Sequence, residues 1–190
     1  VSDGTLTGVN GAGAGAVGTA AIQLGDASNQ DATLYFPTRG STNAGQVITV
    51  VGGGNNLIWG SHNNTGQTAF IRETVLNNAD LTIRNTAGAA YRLDTGDANG
   101  GLYGTGNVFF EGNANGGNPI SIRQPVNNVG TITNQGTGTN VLNFIGSQGG
   151  KIGANVTGII QNSATSAFEI NSNSVDFLGT VDVTAGTLRI

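Results

Sequence analysis

Short runs of alternating apolar and polar residues, separated by clusters of Gly and Asn, constrain the fold of this 190-residue chain more than any other feature. A two-residue alternation is typical of a β-strand with one buried face. Gly and Asn turn the chain at low cost because they tolerate left-handed backbone angles. No run shows a convincing amphipathic helical pattern. The sequence therefore predicts an all-β chain with strands at Ala21–Leu24, Thr33–Phe36, Val47–Val50, Leu81–Arg84, Ile120–Arg123, Val141–Phe144, Phe168–Ile170 and Thr180–Val183.

The spacing of these strands, about 10 to 12 residues between centres, fits either an antiparallel sandwich or a coiled parallel solenoid. Two features of composition favour the solenoid. Only 9% of residues are charged, too few for the polar outer faces of a free-standing sandwich. Asn is abundant, and stacked Asn side chains form hydrogen-bonded ladders. A solenoid would turn a shared set of side chains inward, namely Ile22, Leu24, Leu34, Phe36, Ile48, Leu81, Ile83, Ile120, Ile122, Phe144 and Ile170.

An internal echo supports the same interpretation. Val1–Leu6 and Val183–Leu188 both read V-x-x-G-T-L. Self-similarity at a fixed distance is the sequence signature of repeat architectures. We therefore expect residues 1–190 to be a single β-solenoid segment, slightly more than one unit of a tandem array in a larger secreted protein.

The tail of the chain resembles a known repeat. Val175–Ile190 contains an aromatic residue, a Gly, alternating β-branched residues and then A-G-T-L, and it resembles the autotransporter-associated β-strand repeat. Gly4–Leu6, Val17–Thr19, Ile22–Gly25 and Val129–Asn134 are similar in style. The resemblance implies a right-handed parallel β-helix in a large secreted passenger, used for adhesion or surface coating.

Composition excludes several classes of protein. Leu, Ile, Val and Phe make up about a quarter of the chain, above the roughly one-fifth that marks disordered sequences, and the net charge is only −4. Six Arg and one Lys lie scattered, so no basic patch is available for nucleic acid. No apolar run approaches the roughly 20 residues of a membrane-spanning helix. The absence of Cys excludes disulfides and thiolate metal sites.

No motif carries recognisable catalytic or cofactor chemistry. The single His, His62, lies in a turn-like context, and we expect an exposed loop residue. Gly13–Gly18 matches G-x-G-x-x-G, but the short segment after it cannot supply the helix that a dinucleotide site requires. Asp94 and Asp97 lie near an incomplete calcium loop, where only a weak calcium site is conceivable. The sequence thus predicts no catalytic, cofactor-binding or metal-binding residues and no cofactor.

Sugar chemistry leaves one alternative open. Parallel β-helices include polysaccharide-cleaving enzymes, and glycosidases need two carboxyl groups about 5 to 9.5 Å apart. The acids available for such a pair include Glu73, Asp80, Asp94, Asp97 and Glu111. Outward-facing aromatic residues could bind sugar, although packing in a coil corner is the expectation for the three candidates, Trp59, Tyr91 and Tyr103.

These features together predict a non-enzymatic structural or adhesive segment of a secreted bacterial surface fibre or autotransporter-type passenger. The alternative is a carbohydrate-active parallel β-helix enzyme or a phage tailspike-like polysaccharide-binding protein. Open solenoid ends expose pairing edges. The expected partners are therefore other copies or tandem neighbours that bind through the terminal coils, with cell-surface glycans as a further candidate. The expected location is extracellular, at the cell surface, with no nucleic acid partner and no membrane insertion by this segment.

Overall fold

Stacked parallel strands form the whole of the described molecule. The structure, a computed structural model, describes residues 3–7, 21–36, 47–60, 67–71, 73–86, 91–95, 100–115, 120–139, 141–145, 149–171, 174 and 176–190. For residues 36, 67–71, 91–95 and 143–145 only the backbone is described.

Eighteen strands occur in the described residues, and none of these residues is helical. The first nine strands are β1 (Gly4–Thr7), β2 (Ile22–Leu24), β3 (Ala32–Phe36), β4 (Ile48–Val51), β5 (Asn56–Gly60), β6 (Gln67–Ile71), β7 (Thr74–Asn77), β8 (Leu81–Asn85) and β9 (Tyr91–Thr95). The others are β10 (Leu102–Thr105), β11 (Val108–Gly112), β12 (Ile120–Ile122), β13 (Gly130–Asn134), β14 (Val141–Ile145), β15 (Val156–Asn162), β16 (Ala167–Asn171), β17 (Thr180–Ala185) and β18 (Leu188–Arg189).

The strands belong to three sheets. Sheet A has the order β1-β3-β5-β8-β11-β13-β15-β17, sheet B the order β2-β4-β7-β10, and sheet C the order β6-β9-β12-β14-β16-β18. Two bridges, Leu102–Val126 and Val126–Ile152, continue sheet B beyond β10. From β4 to β16 the chain passes through sheets B, A and C in turn, with Val126 and Ile152 in the place of sheet B strands in the later passages, and we call one such passage a coil.

Each pairing joins residues one coil apart. Ile159 pairs with Val181, 22 residues later, and Thr74 pairs with Leu102, 28 residues later. All pairings among the described strands are parallel, and the sheets stack as a β-solenoid of about five turns. The all-β parallel solenoid predicted from the sequence is therefore confirmed, and the antiparallel sandwich is excluded. The right-handed sense stays a prediction.

The core consists of side chains stacked in columns. In sheet A one column runs through Leu6, Leu34, Ile58, Ile83 and Phe110. Ile58, Ile83 and Phe110 have no exposed surface. Burial of each such side chain contributes about 1.5–3 kcal/mol before conformational entropy is subtracted. The predicted inward orientation is confirmed for a set of nine residues: Ile22, Leu24, Leu34, Ile48, Leu81, Ile83, Ile120, Ile122 and Ile170. The side chains of Phe36 and Phe144 lie outside the described residues.

Asn and Asp side chains connect successive coils at the corners. Asn107 Oδ1 accepts hydrogen bonds from the backbone N–H of Thr131 at 2.9 Å and from its hydroxyl at 3.0 Å. Asp31 Oδ1 accepts the backbone N–H of Asn55 at 2.9 Å, and Asp80 Oδ1 accepts that of Asn107 at 2.7 Å. These described corners show no ladder of identical Asn side chains, and their side-chain oxygens mainly bind backbone N–H groups of the next coil. They satisfy donors that the corners leave outside the sheets.

One stretch of the core is polar. The column that contains Ile58, Ile83 and Phe110 continues from Phe110 to Asn134 and Gln161, both buried. Asn134 Nδ2 donates to Gln161 Oε1 at 2.9 Å, and Gln161 Nε2 donates to the backbone carbonyl of Ser166 at 2.7 Å. Buried amides are tolerated when their hydrogen bonds are made. This cluster holds the last coils together and has a structural role.

The internal echo occupies different places in the coil. Leu6 lies in β1 of sheet A, whereas Leu188 lies in β18 of sheet C. The matching segments Val1–Leu6 and Val183–Leu188 therefore do not place their shared Leu at equivalent positions of the coil. The tandem array stays a prediction.

Candidate functional site

A depression of about 460 Å³ on the outer face of sheet A is the candidate site, which we call the sheet A groove. Its floor lies across four neighbouring strands and consists of outward side chains from each of them. Its walls are the corner residues on one side and a polar row on the other. The lining residues are Asp31, Thr33, Asn55, Asn56, Leu57, Thr82, Arg84, Phe109, Glu111 and Gln135.

An aromatic pair lies in the same outward row as the polar wall. Tyr35 and Trp59 occupy paired positions on β3 and β5, with ring centroids 4.4 Å apart and planes inclined by 30°. Both rings are half-buried. The indole Nε1 of Trp59 donates to Thr86 Oγ1 at 2.9 Å, which fixes the orientation of the ring. The two rings therefore stack on each other, and each covers one face of its partner.

Three polar side chains continue the row beyond Trp59. Arg84 is paired with Trp59 across β5 and β8. Its Nε lies 2.5 Å from Oε2 of Glu111 on β11. The other carboxylate oxygen of Glu111 accepts a hydrogen bond from Gln135 Nε2 at 2.9 Å. The charge of Arg84 is thus balanced within the row, and the row presents donors and acceptors with little net charge.

The three aromatic candidates differ in their surroundings. Trp59 lies within β5 on the outer face of sheet A and not in a coil corner, so the corner prediction is wrong for this residue. Tyr103 lies half-buried in sheet B, and a Cβ added to Gly101 would lie 2.6 Å from its ring. Tyr103 therefore packs against Gly101, which lies directly before β10. The side chain of Tyr91 lies outside the described residues.

The carboxylates do not form a catalytic pair in the sheet A groove. Asp31 and Glu111 line it, but they lie on coils three steps apart, which is about 14 Å along the stack. Asp80 lies before β8, and its partner Asn107 lies four positions before Glu111, so these acids are about 13 Å apart along the strand direction. Both separations exceed the range of glycosidase pairs. Glu73 lies before β7 of sheet B.

Several sequence candidates cannot be placed. His62, Gly13–Gly18 and Asp97 lie outside the described residues, as does the side chain of Asp94. Within the described part of the chain, no group of three His, Cys, Asp or Glu side chains could hold a metal ion. The Ser28 hydroxyl and backbone N–H donate to Asp26 and hold the pKa of its carboxyl below the usual value. Because these bonds close an exposed turn, they indicate local structure and not a reaction centre.

The last described coil forms a second distinctive surface. Val181 follows the buried Ile159 in one inward column, and Val183 follows the buried Gln161 in the other. Ile159 is 2% exposed, whereas Val181 and Val183 are 49% and 50% exposed. Leu178 and Ile190 are more exposed still, at 87% and 93%. Inward apolar side chains are therefore uncovered at this end of the described stack.

No protein-family model, curated protein or solved structure matches the chain. The described residues also contain no helix that is both long and apolar enough to cross a membrane.

Proposed function

We propose that this chain is a structural segment of an extracellular bacterial surface fibre, of the autotransporter-passenger type, and that it extends by end-to-end stacking of copies. The uncovered inward side chains of β17 are the observation that carries the proposal. Exposed apolar surface of this kind is characteristic of an interaction site. An unpaired strand edge is also a template for pairing with another chain.

The register of the proposed contact follows from the columns of sheet A. Gly4 and Leu6 occupy the first positions of the two columns in which Val181 and Val183 occupy the last. When β1 of a second copy pairs in parallel with β17, Gly4 lies beside Val181 and Leu6 beside Val183. The pairing then continues the 4.8 Å step of the sheet and buries both valines.

The proposal is tested by the concentration dependence of mass in light scattering. We expect the wild-type mass to rise above that of the 19.0 kDa monomer as concentration increases. Val183→Asp introduces a charge into the contact, so its mass should stay at the monomer value. The contact would bury the new carboxylate without a positively charged or hydrogen-bonding partner, which is costly.

Val129→Asp is the matched control. Val129 is 49% exposed, almost the same as Val183, but it lies in an interior coil beside β10. Its substitution should leave association unchanged. A wild-type chain that remains monomeric at millimolar concentration would contradict the proposal, and equal loss of association in both variants would indicate lateral contacts instead of stacking.

A further inference from the structure

A column of Asp and Asn side chains runs along the corner directly before the strands of sheet A. Its members precede five successive strands and are, in order, Asp3, Asp31, Asn55, Asp80 and Asn107. From Asp31 onwards carboxylates alternate with amides. Asn55 Nδ2 donates to Asp31 Oδ1 at 2.9 Å, and Asn107 Nδ2 donates to Asp80 Oδ2 at 3.4 Å. This part of the column therefore places no two carboxylates side by side.

The first position of the column departs from this alternation. Asp3 and Asp31 precede paired residues of β1 and β3, so they lie about 4.8 Å apart along the stack. Both side chains are exposed. Residues 1–36 contain three Asp and no Lys or Arg. This end of the solenoid therefore carries a concentration of negative charge that the interior of the column avoids.

The proposed end-to-end contact brings a further carboxylate to this end. Asp182 lies between the two uncovered valines of β17, so its side chain points outward and is exposed. In the register given above, Asp3 of the second copy lies beside Thr180. Asp182 and Asp3 are then one strand step and two residues apart, about 8 Å, on the same outer face.

The described strands around Asp182 supply no cation to offset this approach. β15, which pairs with β17 on its other side, contains no ionisable residue, and the same is true of β1. Arg189 is the only Lys or Arg in residues 176–190, and it is paired with Glu169 in sheet C. The apolar columns thus favour the contact while the carboxylates on its outer face oppose it.

We propose that ionic strength controls the end-to-end contact: the carboxylates of Asp182 and Asp3 hold copies apart at low salt, and screening lets the apolar columns join. This inference rests on the proposed function, because it concerns the same contact. Two like charges about 8 Å apart weaken association about twofold at the dielectric constant of water and about thirtyfold at an effective value of 20. The screening length is about 30 Å at 10 mM salt and about 3 Å at 1 M salt. The repulsion therefore acts at the lower concentration and is removed at the higher one.

Light scattering at pH 7 in about 10 mM and about 1 M NaCl tests the proposal. The wild-type chain is compared with a double variant that combines Asp3→Asn with Asp182→Asn. The dissociation constant of the wild type should fall about twofold to thirtyfold in the higher salt. The double variant should associate that tightly already at the lower salt. Its remaining salt response measures the effect of salt on the apolar contact alone.

Asp80→Asn is the matched control, because it makes the same charge change in the interior of the column. Its Oδ1 can still accept the backbone N–H of Asn107, so it should associate like the wild type at both salt concentrations. An equal gain in Asp80→Asn and in the double variant would show that net charge, and not the contact, is responsible, and would overturn the proposal.

The remaining outcomes separate this inference from the proposed function. If wild type and double variant respond equally to salt while Val183→Asp abolishes association, stacking stands and its control by salt is overturned. If the wild type and the double variant both remain monomeric at both salt concentrations, stacking and its control by salt are overturned together.

Discussion

Gly104→Ala tests how closely two successive coils stack, because it adds a single atom, a Cβ, between them. Gly104 lies in β10 with φ +89°, and it is paired with Leu76 of β7. A Cβ built on Gly104 would lie 2.0 Å from the backbone carbonyl oxygen of Leu76. Non-bonded atoms do not approach so closely, so β10 would have to move by about 1 Å in a sheet whose strands lie about 4.8 Å apart.

The expected loss has two parts. A non-glycine residue in the left-handed region costs about 1–3 kcal/mol. Displacement of β10 also weakens the backbone hydrogen bonds around it, including the one from the Val129 N–H to the Gly104 carbonyl at 2.7 Å, and each lost bond costs about 0.5–1.5 kcal/mol. With two such bonds lost, the free energy of unfolding should fall by about 2–6 kcal/mol.

Gly149→Ala is the matched variant, because it shares the backbone strain but its added Cβ makes a much milder contact. Gly149 has φ +93°, but its added Cβ would lie 3.1 Å from the nearest atom, the carbonyl oxygen of Arg123. The smaller entropy of the unfolded chain with Ala is common to both variants and cancels in the comparison. We expect Gly104→Ala to be less stable than Gly149→Ala by about 2 kcal/mol, or about 4–8 °C in Tm.

Thermal unfolding followed by circular dichroism measures this difference, with urea unfolding as a second determination. Equal unfolding midpoints for Gly104→Ala and Gly149→Ala would show that the carbonyl of Leu76 does not lie against Gly104. The pairing of β10 with β7, and the coil register that depends on it, would then be incorrect.

Three further outcomes are expected. Ile83→Asp should lower the free energy of unfolding by at least about 3 kcal/mol in urea titrations, because its carboxylate would be buried without a partner. Thr82 points outward, so Thr82→Asp should cost less than about 1 kcal/mol. Equal effects of the two substitutions would contradict the inward column. Asn107→Ala removes the acceptor of two hydrogen bonds from the next coil and should cost about 1–2 kcal/mol, a loss that the same titrations would detect. Ser28→Ala removes one donor to Asp26, so the pKa of Asp26 should rise toward its usual value in an NMR titration and remain below it if the backbone N–H still donates.

The sequence predicted the strands whose two faces differ in polarity. Leu81–Asn85 alternates between buried Leu, Ile and Asn and half-buried Thr and Arg, so its pattern alone indicates the inner face. In β5 and β11 buried and half-buried residues still alternate, but apolar and polar residues do not. In β5, Asn56 points inward while Leu57 and Trp59 point outward, and β11 carries Phe109 outward beside the buried Phe110. These strands contain consecutive apolar residues, a pattern that does not distinguish an outer apolar face from a core.

The sheet A groove lies on the strands for which this pattern is ambiguous. The runs Leu57–Trp59 and Val108–Phe110 were the sequence signal for this groove. A strand with apolar residues on both faces must expose some of them on its outer face, and such exposure indicates a special surface. The row itself could not be derived from the sequence. Arg84 and Glu111 are 27 residues apart, whereas Glu111 and Gln135 are 24 apart, so no fixed period brings the three together. Coil lengths vary with the loops between strands, and only the structure fixes the register.

Stacking also accounts for the low charge of the chain. Every outward side chain of a solenoid lies about 4.8 Å from its equivalents in the coils above and below. Like charges at that distance repel by about 1 kcal/mol in water and about 3 kcal/mol at the effective dielectric constant of a protein surface. A charged position repeated in every coil would accumulate this penalty, whereas neutral Thr and Asn avoid it. The two described ion pairs obey the same rule, because Arg84 lies beside Glu111 and Arg189 beside Glu169 in adjacent coils. A charged fraction of 9% is therefore what repeated parallel stacking favours, because neutral outward residues can follow one another from coil to coil without this repulsion.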